Sequence, residues 1–270
     1  SSSSLAFVWT SWMGFWREAA SSMRADFPYV YPLSRSEALR RDETQMHEDS
    51  FRENVKCAWD IEKAVRDCSD EGRTALTEGC AQSVLEAYGF KRVRFVLSNS
   101  LGEMAQPRQI SEEARQWARE IYVPPDGKRN RCFAVKTSAP LLEAFIRQTQ
   151  AAYQALGLFG QEHCAGDPFK LNYEGKVLVL SPGTLRESHW NPREQLWLGE
   201  GGFGCSPDAR GQAVYAVCLG DGEETRWNRC DFTGVLDERF LPDWAAEKLK
   251  ELQSPQQQQP ETPSGGMEMT

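Results

Sequence analysis

The chain has 270 residues, 40% of them apolar and 11% aromatic, enough for one large core or two ordinary ones. Its net charge of −8 lies in one half: residues 27–160 hold 19 Lys/Arg against 19 Asp/Glu, and residues 161–270 hold 10 against 18. Such a balance argues against nonspecific binding to DNA or anionic membranes, which needs clustered cations, and suits a protein partner or mimicry of nucleic acid.

Residues 1–26 open with four serines and an apolar run, Leu5–Trp16. That run is too short to span a bilayer, and no basic segment precedes it as a secretory signal requires. It reads as a segment outside the core, with the domain proper beginning near Met23. Ser34-Arg35-Ser36-Glu37 is a capping box, which predicts a long helix to about Cys68. Cys57, Ile61, Ala64/Val65 and Cys68 form its helical stripe. Thr77 is expected to cap a second helix carrying Cys80, Val84, Leu85 and Tyr88, which Gly89 stops.

Next come two short apolar runs, Val93–Leu97 and Cys132–Val135, both read as strands. Ser111 opens a helix to Ile121 between them, and Ser138 caps a strong helix that Gly157 ends. The order strand, helix, strand, helix predicts a right-handed crossover with the strands parallel. Lys91, Arg92 and Arg94 would then meet Lys128, Arg129 and Arg131 in a cationic, anion-binding corner. Asn99 would share the opposite, carboxyl end with Lys136 and Ser138, where open α/β sheets hold ligands.

Residues 160–174 read as a linker. Beyond it Lys176–Leu180, Gln195–Leu198, Ala213–Leu219 and Thr225–Phe232 are expected strands, separated by Gly- and Pro-rich turns. They predict a small curled sheet of SH3-like kind over residues 175–252, closed by a helix from Pro242 to about Leu252. Residues 253–270, rich in Gln and Pro, read as a disordered tail. The fold class is therefore α+β: a helical domain over 27–159 with a short parallel strand pair, then a small β domain.

Chemical motifs are scarce. Gly199-Glu200-Gly201-Gly202-Phe203-Gly204 spells a phosphate-loop pattern, but Pro207 and a following strand deny it the helix that would hold the pyrophosphate. Its glycines are expected to serve tight turns and close backbone approach. No pair of cysteines has zinc spacing, so no metal and no cofactor are expected, and the eight cysteines read as free thiols of a reducing cytoplasm. His189 with Cys205 or Cys164 is the one nucleophile pairing to test, and His47 falls on a charged helix surface.

Val30-Tyr31-Pro32-Leu33-Ser34, Asn54-Val55-Lys56-Cys57, Tyr88-Gly89-Phe90-Lys91-Arg92-Val93 and Phe95-Val96-Leu97-Ser98-Asn99-Ser100 resemble a domain family without an assigned activity. The resemblance covers about residues 28–156. The family occurs in proteins of conjugative and other mobile elements of gut Firmicutes, and residues 195–244 resemble a module found on such elements. The resemblance implies an intracellular accessory protein of a mobile element and carries no reaction. The expectation is a non-enzymatic interaction protein, for example one that blocks a host nuclease. The alternative is a hydrolase or nucleic-acid-modifying enzyme using the strand-end crevice near Asn99 and Ser138.

Overall fold

A computed structural model of the chain describes residues 27–69 and 75–253, so the expectations for residues 1–26 and for the tail lie outside the described residues. The chain is α+β and divides into two compact units. Unit 1 is helical and includes the short segment 185–190; unit 2 holds the sheet, residues 159–184 and the chain from 191.

In unit 1, Ser34 caps helix α1 (Arg35–Arg40) by accepting the Glu37 N–H at 3.3 Å. The chain breaks at Asp42, whose φ is +57°, and restarts as α2 (Thr44–Cys68). The expected single helix is thus two. The buried face of α2 runs through His47, Ser50, Asn54, Cys57, Ile61 and Val65, which is helical spacing. Thr77 is not a cap: its carbonyl accepts from Gln148, and helix α3 begins at Gln82 and runs to Glu103.

The two expected strands are absent. Val93–Leu97 lies inside α3, while Cys132 is the last residue of α5 (Lys128–Cys132) and Phe133–Val135 follow it as irregular chain, so no parallel pair or crossover exists among the described residues. Gly89 does break the helix, with φ of +74°, but the helix resumes at once. The Glu187 carboxylate caps the restart, accepting the N–H groups of Phe90 and, at 2.9 Å, Lys91. From Arg92 to Leu101 every residue is buried. A helix buried on all sides has no polar stripe, and its apolar run imitates a buried strand. Helices α4 (Glu112–Arg119) and α6 (Ala139–Ala155) pack on it, contributing Trp117, Leu142, Phe145 and Ile146 to one core.

Unit 2 is one antiparallel sheet, not closed, in the order β1-β6-β2-β3-β4-β5. Its strands are β1 (Cys164–Ala165), β2 (Val177–Leu180), β3 (Leu196–Gly201), β4 (Ala213–Cys218), β5 (Glu224–Asn228) and β6 (Phe232–Leu236). The register pairs Leu178 with Trp197 and Val235, and Leu198 with Val217. Three expected strands stand; the fourth, Thr225–Phe232, divides at a 3₁₀ turn over Arg229–Asp231. The segment read as a linker supplies β1, which pairs with β6. A one-turn helix α7 (Pro192–Gln195), capped by Asn191, leads into β3. Helix α8 (Asp243–Gln253) closes the unit, setting Ala245 and Trp244 beside Val179, Leu196 and Leu236. Gln195 is fully buried and bridges Phe159 through both its oxygen and its nitrogen, while also donating to the Leu180 carbonyl.

The glycine cluster provides close approach, but not at every position. A Cβ on Gly204 would collide with the main chain of Gln212, whereas one on Gly201 would meet open space. We therefore expect Gly204→Ala to lower unfolding stability by about 1 kcal/mol or more, and Gly201→Ala to stay within about 0.5 kcal/mol. Urea denaturation of the two variants checks the contrast; equal losses would show that the cluster acts through turn conformation instead.

Candidate functional site

With the strands gone, the residues expected to converge are spread apart. Asn99 is buried on α3 and forms a reciprocal amide pair with Asn130: its Nδ2 donates to the Asn130 carbonyl at 2.7 Å, and Asn130 Nδ2 donates to Asn99 Oδ1 at 2.9 Å. Asn130 also donates to the Pro124 carbonyl and accepts the Asp126 N–H. Asn99 therefore ties loop 124–130 to α3. It borders a surface depression of about 560 Å³ with Arg119, Tyr122 and Arg131. Ser138 and Lys136 are exposed and border a different depression of about 520 Å³. Ser138 precedes α6 without a side-chain capping bond, and the Lys136 N–H is bound by Glu62. The mouth shared by Asn99, Lys136 and Ser138 does not form.

The cationic corner does not form either. Arg92 is completely buried, and its guanidinium donates to the carbonyls of Ser50, Pro28 and Tyr29 and to the Asn54 side chain. Desolvation lowers its affinity for the proton. Arg94 donates to the Trp117 carbonyl and to Glu120, with its guanidinium 4.1 Å from the Trp117 ring centroid. Arg129 binds Glu48 at 2.7 Å and covers the Phe51 ring, and that bond holds the Glu48 carboxyl below its usual range. Arg131 is the open member of the four, 77% exposed and 3.3 Å from Glu103. Three of the four expected anion-binding arginines are thus internal fasteners.

His47, expected on a charged surface, is buried. Its Nε2 shares a 3.0 Å hydrogen bond with Asp126, and its ring meets Tyr31 edge-on at 5.5 Å. The adjoining cavity of about 20 Å³ holds about one water molecule. It leaves no room for a substrate. Cys164 and Cys205, which belong to unit 2, donate to the carbonyls of Gly160 and Gly201. Burial pushes both thiols up, Cys164 to about 11, which keeps them protonated and unlike activated nucleophiles. Glu194, Cys218 and Asp221 bring three donor atoms within 4.8 Å of one another, a grouping hidden in the sequence by the distance from residue 194 to 218. The Cys218 thiol of that group is likewise raised by burial, to about 11.

What the sequence reading missed is Arg229. Its Nη1 donates to the carbonyls of Gly204 (2.8 Å) and Cys205 (3.0 Å), and its Nη2 to those of Pro168 (2.6 Å) and Leu171 (2.7 Å). The guanidinium lies 3.9 Å from the ring centroid of Tyr173, which is itself buried. One side chain thereby pins two loops, and beside the pinned carbonyls each loop displays a phenylalanine. Phe169 is 81% exposed and Phe203 78%. Tyr215, opposite Gly201 in the β3–β4 register, adds a third open ring on the same unit. Nothing in the local sequence around Arg229 distinguishes it from the other arginines; the signal lies in four carbonyls that only the fold assembles.

The amide pair and the exposed serine make opposite demands on stability. Asn99→Ala leaves the Asn130 side chain and a buried carbonyl short of partners, and we expect a loss of roughly 1–3 kcal/mol. Ser138→Ala should change stability by no more than about 0.5 kcal/mol, because its hydroxyl makes no capping bond. Thermal and denaturant unfolding measure both, and a neutral Asn99→Ala would remove the structural role assigned to that residue.

Among the described residues no helix is long and apolar enough to cross a membrane. No curated protein and no solved structure matches the chain. Residues 30–154 match the family described as "Protein of unknown function (DUF3849)", so a DUF3849 domain spans most of the helical unit.

Proposed function

We propose that the chain is a non-enzymatic accessory protein of a mobile genetic element of Firmicutes, which works in the cytoplasm by binding a protein partner. The resemblance of the first domain supplies the setting. The observation that carries the binding reading is the Arg229 clamp, with Phe169 and Phe203 displayed on the two loops it holds. Open aromatic rings on rigid loops are the usual anchors of protein recognition. The acidic balance of residues 161–270 suits a partner that itself handles nucleic acid, so the concrete form of the proposal is inhibition of a host defence nuclease.

The enzymatic alternative rested on a crevice shared by Asn99 and Ser138. Those residues border separate depressions, which leaves that reading without its geometric premise. Nucleic acid as the direct ligand is disfavoured by the internal pairing of Arg92, Arg94 and Arg129.

Conjugative transfer into a nuclease-proficient Firmicutes host, with and without the protein, tests the proposal. The native chain should raise transfer efficiency, and Phe169→Ser with Phe203→Ser should abolish the gain while leaving the melting temperature unchanged, since both rings are already solvated. Equal protection by the double variant would move the contact elsewhere. Turnover of a substrate, or DNA binding that weakens steeply with salt, would overturn the reading.

A further inference from the structure

Helix α2 ends at Cys68. Ser69 and Leu76 form an antiparallel bridge, and the Thr77 N–H donates to the Cys68 carbonyl at 3.0 Å. This brings Cys80 onto the last turns of α2, where its sulfur donates to the Ala64 carbonyl at 3.4 Å. Ala64 is one helical turn before Cys68, and helical side chains lean toward the N-terminus, so the Cys68 sulfur overlies that same turn. Both cysteines therefore stand over the turn of α2 that begins at Ala64. Cys80 is buried and Cys68 half-buried, which leaves one member of the pair reachable from solvent.

We propose that Cys68 and Cys80 are an oxidation site, converted by hydrogen peroxide to an intramolecular disulfide and restored by a cellular dithiol. The Cys68 thiolate attacks one peroxide oxygen, the O–O bond breaks, and hydroxide leaves, giving a sulfenic acid at Cys68. The Cys80 sulfur then attacks the Cys68 sulfur; the S–O bond breaks and the hydroxyl leaves as water with the Cys80 proton. Two thiols and one peroxide become one disulfide and two waters, each sulfur losing one electron and the peroxide gaining two. The division of roles follows from burial. Desolvation, reinforced by the neighbouring Cys68 thiol, pushes the Cys80 thiol up to about 12, which suits the resolving partner and not the attacking one.

The other thiols provide the internal control. Cys132 and Cys230 are exposed, so oxidation governed by access alone would reach them before Cys68. The full chain is treated with substoichiometric hydrogen peroxide, alkylated and digested without reductant. A peptide linking Cys68 to Cys80 should appear first, with a loss of two hydrogens in mass and a fall in free thiols from eight to six, and a dithiol should reverse it. Cys80→Ser should stop at a sulfenic acid trapped at Cys68 by a dione reagent, and Cys68→Ser should leave Cys80 unmodified. Oxidation of Cys132 and Cys230 with no linked peptide would overturn the proposal, as would a linked peptide joining any other pair.

Discussion

The helical unit is organised around a buried positive charge. Removing an arginine from water costs several kcal/mol, which must be returned by bonds inside the fold. Arg92 recovers it from four oxygens without formal charge: three main-chain carbonyls and the Asn54 amide. Those oxygens belong to the extended segment before α1 and to two turns of α2, so one guanidinium joins three parts of the chain. Its position depends in turn on the break at Gly89, where a positive φ and the Glu187 carboxylate restart the helix with Arg92 facing inward. If one partner were withdrawn, the charge would stay buried and the loss would exceed the worth of a single neutral hydrogen bond.

Unit 2 repeats the device at its loops. Segments without regular secondary structure leave carbonyls without partners, and a planar guanidinium with five donors can gather several at once. Arg229 does so for four carbonyls from two loops while its flat face rests on Tyr173. A lysine in its place would offer a point charge in a single spot and could not fork between the loops. In both units arginine thus serves as a substitute for missing backbone ladders, and Arg92, Arg94 and Arg129, clustered in the sequence, bond inside the fold.

Much of the architecture was legible because it rests on local signals. Ser34 and Ser111 cap as their sequences imply, each accepting an N–H at the start of its helix. The strands around Leu178, Leu196 and Val214 follow from β-branched and aromatic runs between turns. The failures share one cause. Val93–Leu97 is apolar because it is buried on every side of a helix, and a run of that length fits either period. The strand reading then carried Arg92, Arg94 and Asn99 to a sheet edge, where they would have been solvated ligands. Burial also hides His47 among charged neighbours: the sequence around it is polar, yet Asp126, far along the chain, takes it inside. Contacts that close over such separations leave no trace in a window of residues.

Exposed phenylalanines need not signify function, since isolated apolar side chains are common on protein surfaces. Phe169 and Phe203 differ because the loops that bear them are held by a common group. A mobile loop that binds through an aromatic ring spends part of the contact energy on becoming ordered. Burying one such ring returns about 1.5–3 kcal/mol, so ordering two loops at the moment of binding would consume much of the gain. The Arg229 bonds make that ordering a property of the folded unit. The outer strand β5 meanwhile carries Glu224 and Arg226, charges that discourage strand-to-strand association of the open edge. Nonspecific association is thereby opposed at the sheet edge, while the two rings remain displayed on loops that Arg229 ties together.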